Sequence, residues 1–427
     1  MAAALAAVIG LTLAGPAWSQ AAPATSTEAL QKRLEQLANE LAAVRAELDA
    51  VKKKQAEAPA APPAAAVAAA PAPVMASTRA EPATVITSYG EINYNRPRDA
   101  KNAQADMRRF VLGYQHRFDD KTKVVAELEV EHAIASASDA GEVALEQAYV
   151  ERQLSPDWAL RAGLFLVPLG LLNENHEPTT YYGVERNFVE TAIIPSTWRE
   201  GGVQFVGALG NGLTVQVGAS TGFDLNKWDA ASREGAESPL GAIHQELQLA
   251  RSRDLSVFGA VNWRGIPGLL LGGGVFTGGA TQGQTAATSR VTLWDLHARW
   301  TPGAWDLSAL YARGSISNTA AFNQTLVGNP TLVPSSFDGA YLQAAYKLWS
   351  KGDMALSPFA RWERFNTARS FSDLGPGLTP EVAAAERVYT LGANFQVTQG
   401  IVVKADVQKF RSSRDLDRFN LGLGWAF

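Results

Sequence analysis

The chain has 427 residues, 46% hydrophobic and 19% charged, which excludes a chain disordered throughout. It has no cysteine, so a disulfide framework, thiol catalysis and thiolate metal sites are ruled out, while an oxidising compartment stays open. A net charge of −4 argues against nucleic acid as a partner.

Residues 1–19 are apolar and uncharged and end in Ala17-Trp18-Ser19, small residues where a signal peptidase would read. Polar sequence follows at once, so an export signal is expected rather than a buried helix. No second apolar run approaches the roughly 18 residues of a membrane helix, which excludes a multi-span helical protein.

In residues 26–56, Leu30, Leu34, Leu37, Leu41, Val44, Leu48 and Val51 recur with alternating spacings of 4 and 3. That is a heptad seam, and Glu40, Glu47, Arg45 and Lys52 flank it as charge pairs between chains. A periplasmic coiled coil is expected, its strand number left open by leucine at both core positions. A lone amphipathic helix is the alternative. Residues 57–83 are largely alanine and proline, a semi-rigid spacer that cannot build a core.

From residue 84 to 427 the hydrophobic period changes to 2. Ile401, Val403, Ala405 and Val407 form one face of a strand whose other face reads Val402, Lys404, Asp406 and Gln408. Sixteen such strands are expected, near 84–95, 106–118, 122–134, 142–153, 157–167, 200–208, 212–221 and 254–264. The remaining eight lie near 268–278, 288–300, 303–314, 336–350, 354–365, 385–397, 400–410 and 415–427.

Connections alternate between tight turns, such as Ser155-Pro156 and Gly210-Asn211, and longer loops that reach about thirty residues after strands five and seven. Trp158, Trp263, Trp300, Trp305 and Trp349 sit beside the tight turns, as an interfacial girdle would. The expected fold is therefore all-β, a 16-stranded antiparallel transmembrane β-barrel in the outer membrane of a Gram-negative cell. Its termini would be periplasmic and its lumen water-filled.

The end of the chain, with Phe419, Leu421, Leu423, Trp425 and Phe427 at alternate positions, resembles the assembly signal of bacterial outer-membrane proteins. The region from about residue 84 resembles the phosphate-selective porin O/P family, most specifically over 163–202. Within it stand Gly163-Leu-Phe-Leu-Val-Pro-Leu-Gly170, Asn173-Glu-Asn-His-Glu-Pro178, Tyr182-Gly-Val-Glu-Arg186 and Ile194-Pro-Ser-Thr-Trp-Arg-Glu-Gly-Gly202. The resemblance implies a homotrimeric porin whose third extracellular loop folds into the lumen.

That loop, 168–199, is rich in large side chains (Tyr181, Tyr182, Phe188, Ile193, Ile194, Trp198), which a freely solvated loop would not need. The residues expected at the constriction are Glu174, His176, Glu177, Glu185, Arg186, Glu190, Arg199 and Glu200. For Glu185, Arg186, Arg199 and Glu200, bracing the loop through ion pairs is an equal alternative. Charged residues expected on the lumen face are Arg109, Arg117, Glu127, Glu129, Arg161, Asp295, Arg299, Arg361, Lys404 and Asp406.

Phosphate capture calls for a ladder of basic side chains, whereas residues 168–200 hold five glutamates, two arginines and no lysine. Glu174, His176 and Glu177 could be imagined as metal ligands, but a closed site needs more ligands at convergent spacing, Pro178 follows at once, and no second His cluster exists. No catalytic arrangement and no cofactor is expected. The expected function is passive diffusion of small hydrophilic solutes or ions, with phosphate or other anions among them on the family resemblance. The competing reading is a structural or adhesive barrel tethered to the cell wall through its coiled coil.

Overall fold

The computed structural model describes residues 39, 42, 45, 46, 83–285, 288–382 and 384–427. The chain divides into two compact units, Met1–Ala66 and Val67–Phe427. In the first, Asn39, Ala42, Arg45 and Ala46 are helical and exposed. The expected export signal, the seam from Leu30 to Val51 and the spacer short of residue 83 lie outside the described residues.

The second unit is a single antiparallel sheet closed on itself. Its first eight strands are β1 Thr84–Pro97, β2 Gln104–Arg117, β3 Thr122–Glu131, β4 Val143–Ser155, β5 Trp158–Leu166, β6 Arg199–Leu209, β7 Leu213–Ser220 and β8 Ser256–Ile266. The next four are β9 Leu269–Gly279, β10 Arg290–Trp300, β11 Trp305–Ile316 and β12, which runs Ser336–Tyr346 and resumes at Trp349–Lys351. The last four are β13 Met354–Ser370, β14 Glu386–Thr398, β15 Ile401–Phe410 and β16 Arg418–Ala426. Both pieces of β12 pair with β13, so the barrel has sixteen strands.

Closure comes from β1, which pairs with β2 on one side and β16 on the other. The terminal Phe427 exchanges backbone hydrogen bonds with Ser88, at 2.9 and 3.0 Å. Among the described residues no strand is left as an edge, so the ladders pair backbone groups from strand to strand without water. Among the described residues no helix is long and apolar enough to cross a membrane.

Side chains alternate across the wall as the sequence pattern requires, and the polar face points inward. On β10, Asp295 is 1% exposed while its neighbour Leu296 is 61% exposed. On β15, Val402, Lys404, Asp406 and Gln408 are buried while Val403 and Val407 face out. An apolar outer belt around a polar interior suits hydrocarbon, not water, and separates this barrel from a soluble sandwich.

All seven turns at one end span no more than four residues, and the connections at the other end reach 167–198 and 221–255. Trp158, Trp300, Trp305 and Trp349 stand at the short-turn end, where Trp305 packs on Tyr346 at 4.9 Å between ring centroids. Phe419, Leu421 and Leu423 face outward on β16. The strands coincide with those expected to within a few residues. The exception is β13, which continues to Ser370 rather than ending near 365.

Sixteen strands enclose more space than wall side chains can fill. The apolar core is therefore made by loops. Val167, Leu169, Val189, Ile193, Ile194 and Trp198 of the loop after β5, with Phe165 at the end of that strand, meet Phe223, Leu225, Trp228, Leu240 and Ile243 of the 221–255 loop. Both groups lie on inward residues of β8–β12 such as Phe258, Phe276, Leu293, Leu310 and Phe337.

Candidate functional site

The loop after β5, here L3 (167–198), turns into the barrel as the sequence suggested. Its apolar anchor is Trp198, fully buried, with ring centroids 5.3 Å from Phe223 and 4.6 Å from Phe276. Asn173 clasps the two ends of the loop. Its amide donates to the carbonyls of Val167 and Trp198, both at 2.8 Å, and its oxygen accepts from the Trp198 N–H at 2.7 Å.

Polar bonds then tie L3 to opposite sides of the wall. Tyr181 donates to Glu91 of β1 at 2.8 Å, and the Val184 N–H donates to Asp406 of β15 at 2.7 Å. The Gly183 N–H donates to Asn394 of β14 at 3.3 Å and the Phe188 N–H to Glu363 of β13 at 2.6 Å. Gly183 holds φ at +90°, and a Cβ there would come within 3.3 Å of Phe359, so this approach needs glycine. Gln216 of β7 donates to Glu174 at 2.9 Å from the other side. L3 is thus a strut across the lumen.

The expected constriction residues divide into two groups. Glu174 is solvent-accessible and 4.0 Å from Arg161; Glu177 is half-buried; Glu185 is half-buried and accepts from Asn95 at 2.8 Å. The other five are buried.

Glu190 is the clearest correction to the expected lining. Its carboxylate accepts from the Leu171 and Leu172 N–H groups, from Asn187 and from Tyr341, at 2.5 to 3.0 Å. Burial pushes its pKa up. Glu200 likewise faces no water and accepts from Trp198 and Thr221. Both are braces, because a buried carboxylate with several donors is more useful to a fold than to a pore.

Arg186 donates to the His176 carbonyl at 3.1 Å and to Thr197 at 3.2 Å. Arg199 lies 3.4 Å from Glu246 of the 221–255 loop. Burial raises the Glu246 pKa, but His244 and Arg199 outweigh it and hold the carboxyl below its usual range.

His176 meets two carboxylates that lie far from it in sequence. Its ligand atom and those of Glu127 and Glu146 all fall within 4.8 Å of one another. His176 Nδ1 faces the Asn173 carbonyl at 2.9 Å, and Nε2 faces Tyr89 at 2.7 Å and Glu146 at 3.6 Å. Tyr89 also donates to Glu146. Burial opposes charge on the imidazole, yet Glu146 holds its pKa above the ordinary value. One imidazole and two carboxylates are a donor set that a cation could use, but the Tyr89 hydroxyl already bridges two of them. The group reads as a fastening of L3 to β1 and β4.

The lumen-face charges are arranged in pairs. Arg109 lies 2.9 Å from Glu91 and 3.1 Å from Glu129; Arg161 lies 2.7 Å from Glu151. Arg299 pairs with Asp306 at 2.7 Å and Arg361 with Glu363 at 3.1 Å. Glu127 accepts from Gln147, Asp295 sits 2.6 Å from His297, and Asp406 accepts from Asn420 at 2.6 Å. The Lys404 ammonium lies 3.5 Å from the Tyr181 ring centre. Arg117, at the short-turn end of β2, is exposed.

Beside L3 lies a polar cavity of about 310 Å³, bounded by Glu129, Glu131, Glu142 and Glu246 and by Arg109, Arg199 and His244. Its wall comes from β2–β4 and its cover from Thr191–Thr197 and the 221–255 loop. Sequence reasoning missed Glu146 and the part played by that second loop. The apolar run Phe223, Leu225 and Trp228 was the available signal, since a solvated loop would not carry it.

Among solved structures the chain resembles OmpF of Salmonella typhi in complex with daunomycin, with a TM-score of 0.57 at 12% identity, over 81% of this chain and 97% of that one. The barrel has the porin fold. An anion-selective porin from Comamonas acidovorans matches at a TM-score of 0.50 and 12% identity, covering 81% of this chain and all of that one. The outer-membrane channel DcaP of Acinetobacter baumannii matches at 0.50 and 14%, covering 81% and 97%. An uncharacterized protein of Aquifex aeolicus (strain VF5) is 27% identical over 355 residues, 80% of this chain and 79% of that protein. No family model matches the chain.

Proposed function

We propose that the protein is an outer-membrane porin, a passive water-filled channel for small hydrophilic solutes or ions, narrowed by L3. The observation that carries this reading is the strut itself. A loop held across a lumen walled by paired charges leaves a polar cavity at its side. A purely structural barrel would need no such lining. Long-loop and short-turn ends then face the exterior and the periplasm, as in barrels of this architecture.

The family resemblance suggests phosphate as a solute. The guanidiniums near L3 support a different weighting, because Arg109, Arg161 and Arg199 are each beside a carboxylate. The cavity sets four carboxylates against two guanidiniums. We therefore read the channel as weakly selective and leaning toward cations. In a tenfold salt gradient across a planar bilayer, the reversal potential should carry the sign of a cation-preferring pore. An anion-preferring sign would overturn this weighting and restore phosphate or another anion as the solute.

The heptad segment 26–56 fits a parallel trimer on the periplasmic side, joined to each barrel by its own Ala/Pro spacer. Roughly 3.1 Å per residue of extended spacer is ample reach, and tethering raises the helices' effective concentration toward the mM range. Deleting 26–56 should leave single-channel conductance nearly unchanged while weakening the trimer or its anchorage in the envelope. Loss of the channel would mean that the helices serve the pore.

A further inference from the structure

The fastening of L3 at His176 needs a hydrogen that its neutral side chains do not bring. His176 Nδ1 faces the Asn173 carbonyl at 2.9 Å, and a carbonyl only accepts, so the ring hydrogen of a neutral imidazole is committed there. Nε2 lies 2.7 Å from the Tyr89 hydroxyl, which also bonds to Glu146. Nε2, the phenol oxygen and the carboxylate oxygen thus form a row with two contacts, and each contact needs a hydrogen. Tyr89 brings only one of them.

Both contacts are made when the row holds one further proton. On Nε2, that proton is donated to Tyr89 while Tyr89 donates to Glu146. On Glu146, both donations run the other way. In either form the imidazole, phenol and carboxylate together are neutral. Tyr89, His176 and Glu146 are 5%, 3% and 0% exposed, so solvent does not reach the row to supply the hydrogen instead.

Charged groups face the row from every element around it. Glu127 of β3 has a carboxylate oxygen within 4.8 Å of the His176 and Glu146 ligand atoms, which places a second negative charge beside the first. Glu177 and Arg186 of L3 flank the imidazole with opposite signs. Arg109 of β2 and Glu129 of β3 stand beyond Tyr89 and offset one another at 3.1 Å. Removal of the shared proton therefore leaves two neighbouring carboxylates and one contact in which lone pairs oppose.

We propose that Tyr89, His176 and Glu146 form a proton-held latch: with the shared proton they pin the first arm of L3 to β1 and β4, and when it leaves to lumen water the arm is released and the pore widens. The widening rests on the L3-narrowed channel proposed above, and the latch itself does not. The ties at Tyr181, Val184 and Phe188 hold no part of this row, so release is confined to the arm around residues 173–180. Burial opposes charge on His176, but Glu146 outweighs it and raises the imidazole pKa. The latch is accordingly held through the ordinary imidazole range and lost as the pH rises above it.

The chain has no cysteine, so Thr179→Cys accepts a single nitroxide label on this arm. Electron paramagnetic resonance of the labelled, full-length protein in lipid vesicles is recorded from about pH 5 to about pH 10. The ratio of mobile to immobile label should rise by about tenfold or more, as expected for loss of one hydrogen bond to a charged group. Glu146→Gln in the same background decides the mechanism. Its amide oxygen still accepts from Thr197, which donates to Glu146 at 3.1 Å, and its amide N–H donates to Tyr89, which then donates to Nε2. Both contacts are satisfied by a neutral imidazole, so the label should stay immobile at every pH. His176→Gln, which has no titrating ring, should also remove the pH response and serves if Glu146→Gln fails to fold by heat-modified gel mobility. No step in the Thr179→Cys protein, a step that persists in the folded variants, or a Glu146→Gln label mobile throughout overturns the proposal. Conductance is read separately: a barrel that shows the step yet carries no current refutes the channel and leaves the latch standing.

Discussion

Trp198→Ala should loosen L3 without opening the barrel, raising single-channel conductance and open-channel noise. Trp198 is fully buried between Phe223 and Phe276, and its indole N–H donates to Glu200 at 3.1 Å. Truncating a buried tryptophan costs about 3–5 kcal/mol, and a carboxylate left without its donor adds to that. The strand ladders do not depend on this residue, so the loss falls on the loop. The checks are a conductance histogram beside wild type and heat-modified mobility of the same preparation. A folded variant with unchanged conductance would show that L3 does not set the pore.

Leu296→Arg should lower barrel stability by about 2–4 kcal/mol in a bilayer, the range for arginine on the lipid face near the midplane. Leu296 is central on β10 and faces outward. Gln147→Arg is the comparison, because Gln147 donates to Glu127 inside the lumen and an arginine there gains a carboxylate. Denaturant unfolding in lipid vesicles measures both. Equal losses in the two variants would mean that the outward face does not meet hydrocarbon.

Much of the barrel was legible because period-2 alternation and turn length are local signals. Asn420 inward beside Leu421 outward on β16 follows from one residue's offset, and the pattern repeats strand by strand. L3 was legible through bulk: Ile193, Ile194 and Trp198 have no reason to sit in a solvated loop. What those residues touch was not legible. Glu190 looked like a pore-lining carboxylate, but its four donors come from 171, 172, 187 and 341, and no spacing rule links them. In sequence His176 stands beside Glu174 and Glu177, whereas its partners Tyr89 and Glu146 arrive from β1 and β4. Braces and lining differ only in tertiary contacts, and period alone does not carry those.

The most direct measurement of the central claim is current through a planar bilayer after purified, folded, full-length protein is added. A water-filled channel predicts discrete, stable conductance steps that scale linearly with voltage and rise with salt concentration. Protein that is inserted and folded by its gel mobility, yet carries no such steps, would contradict the channel and leave a closed structural barrel in its place.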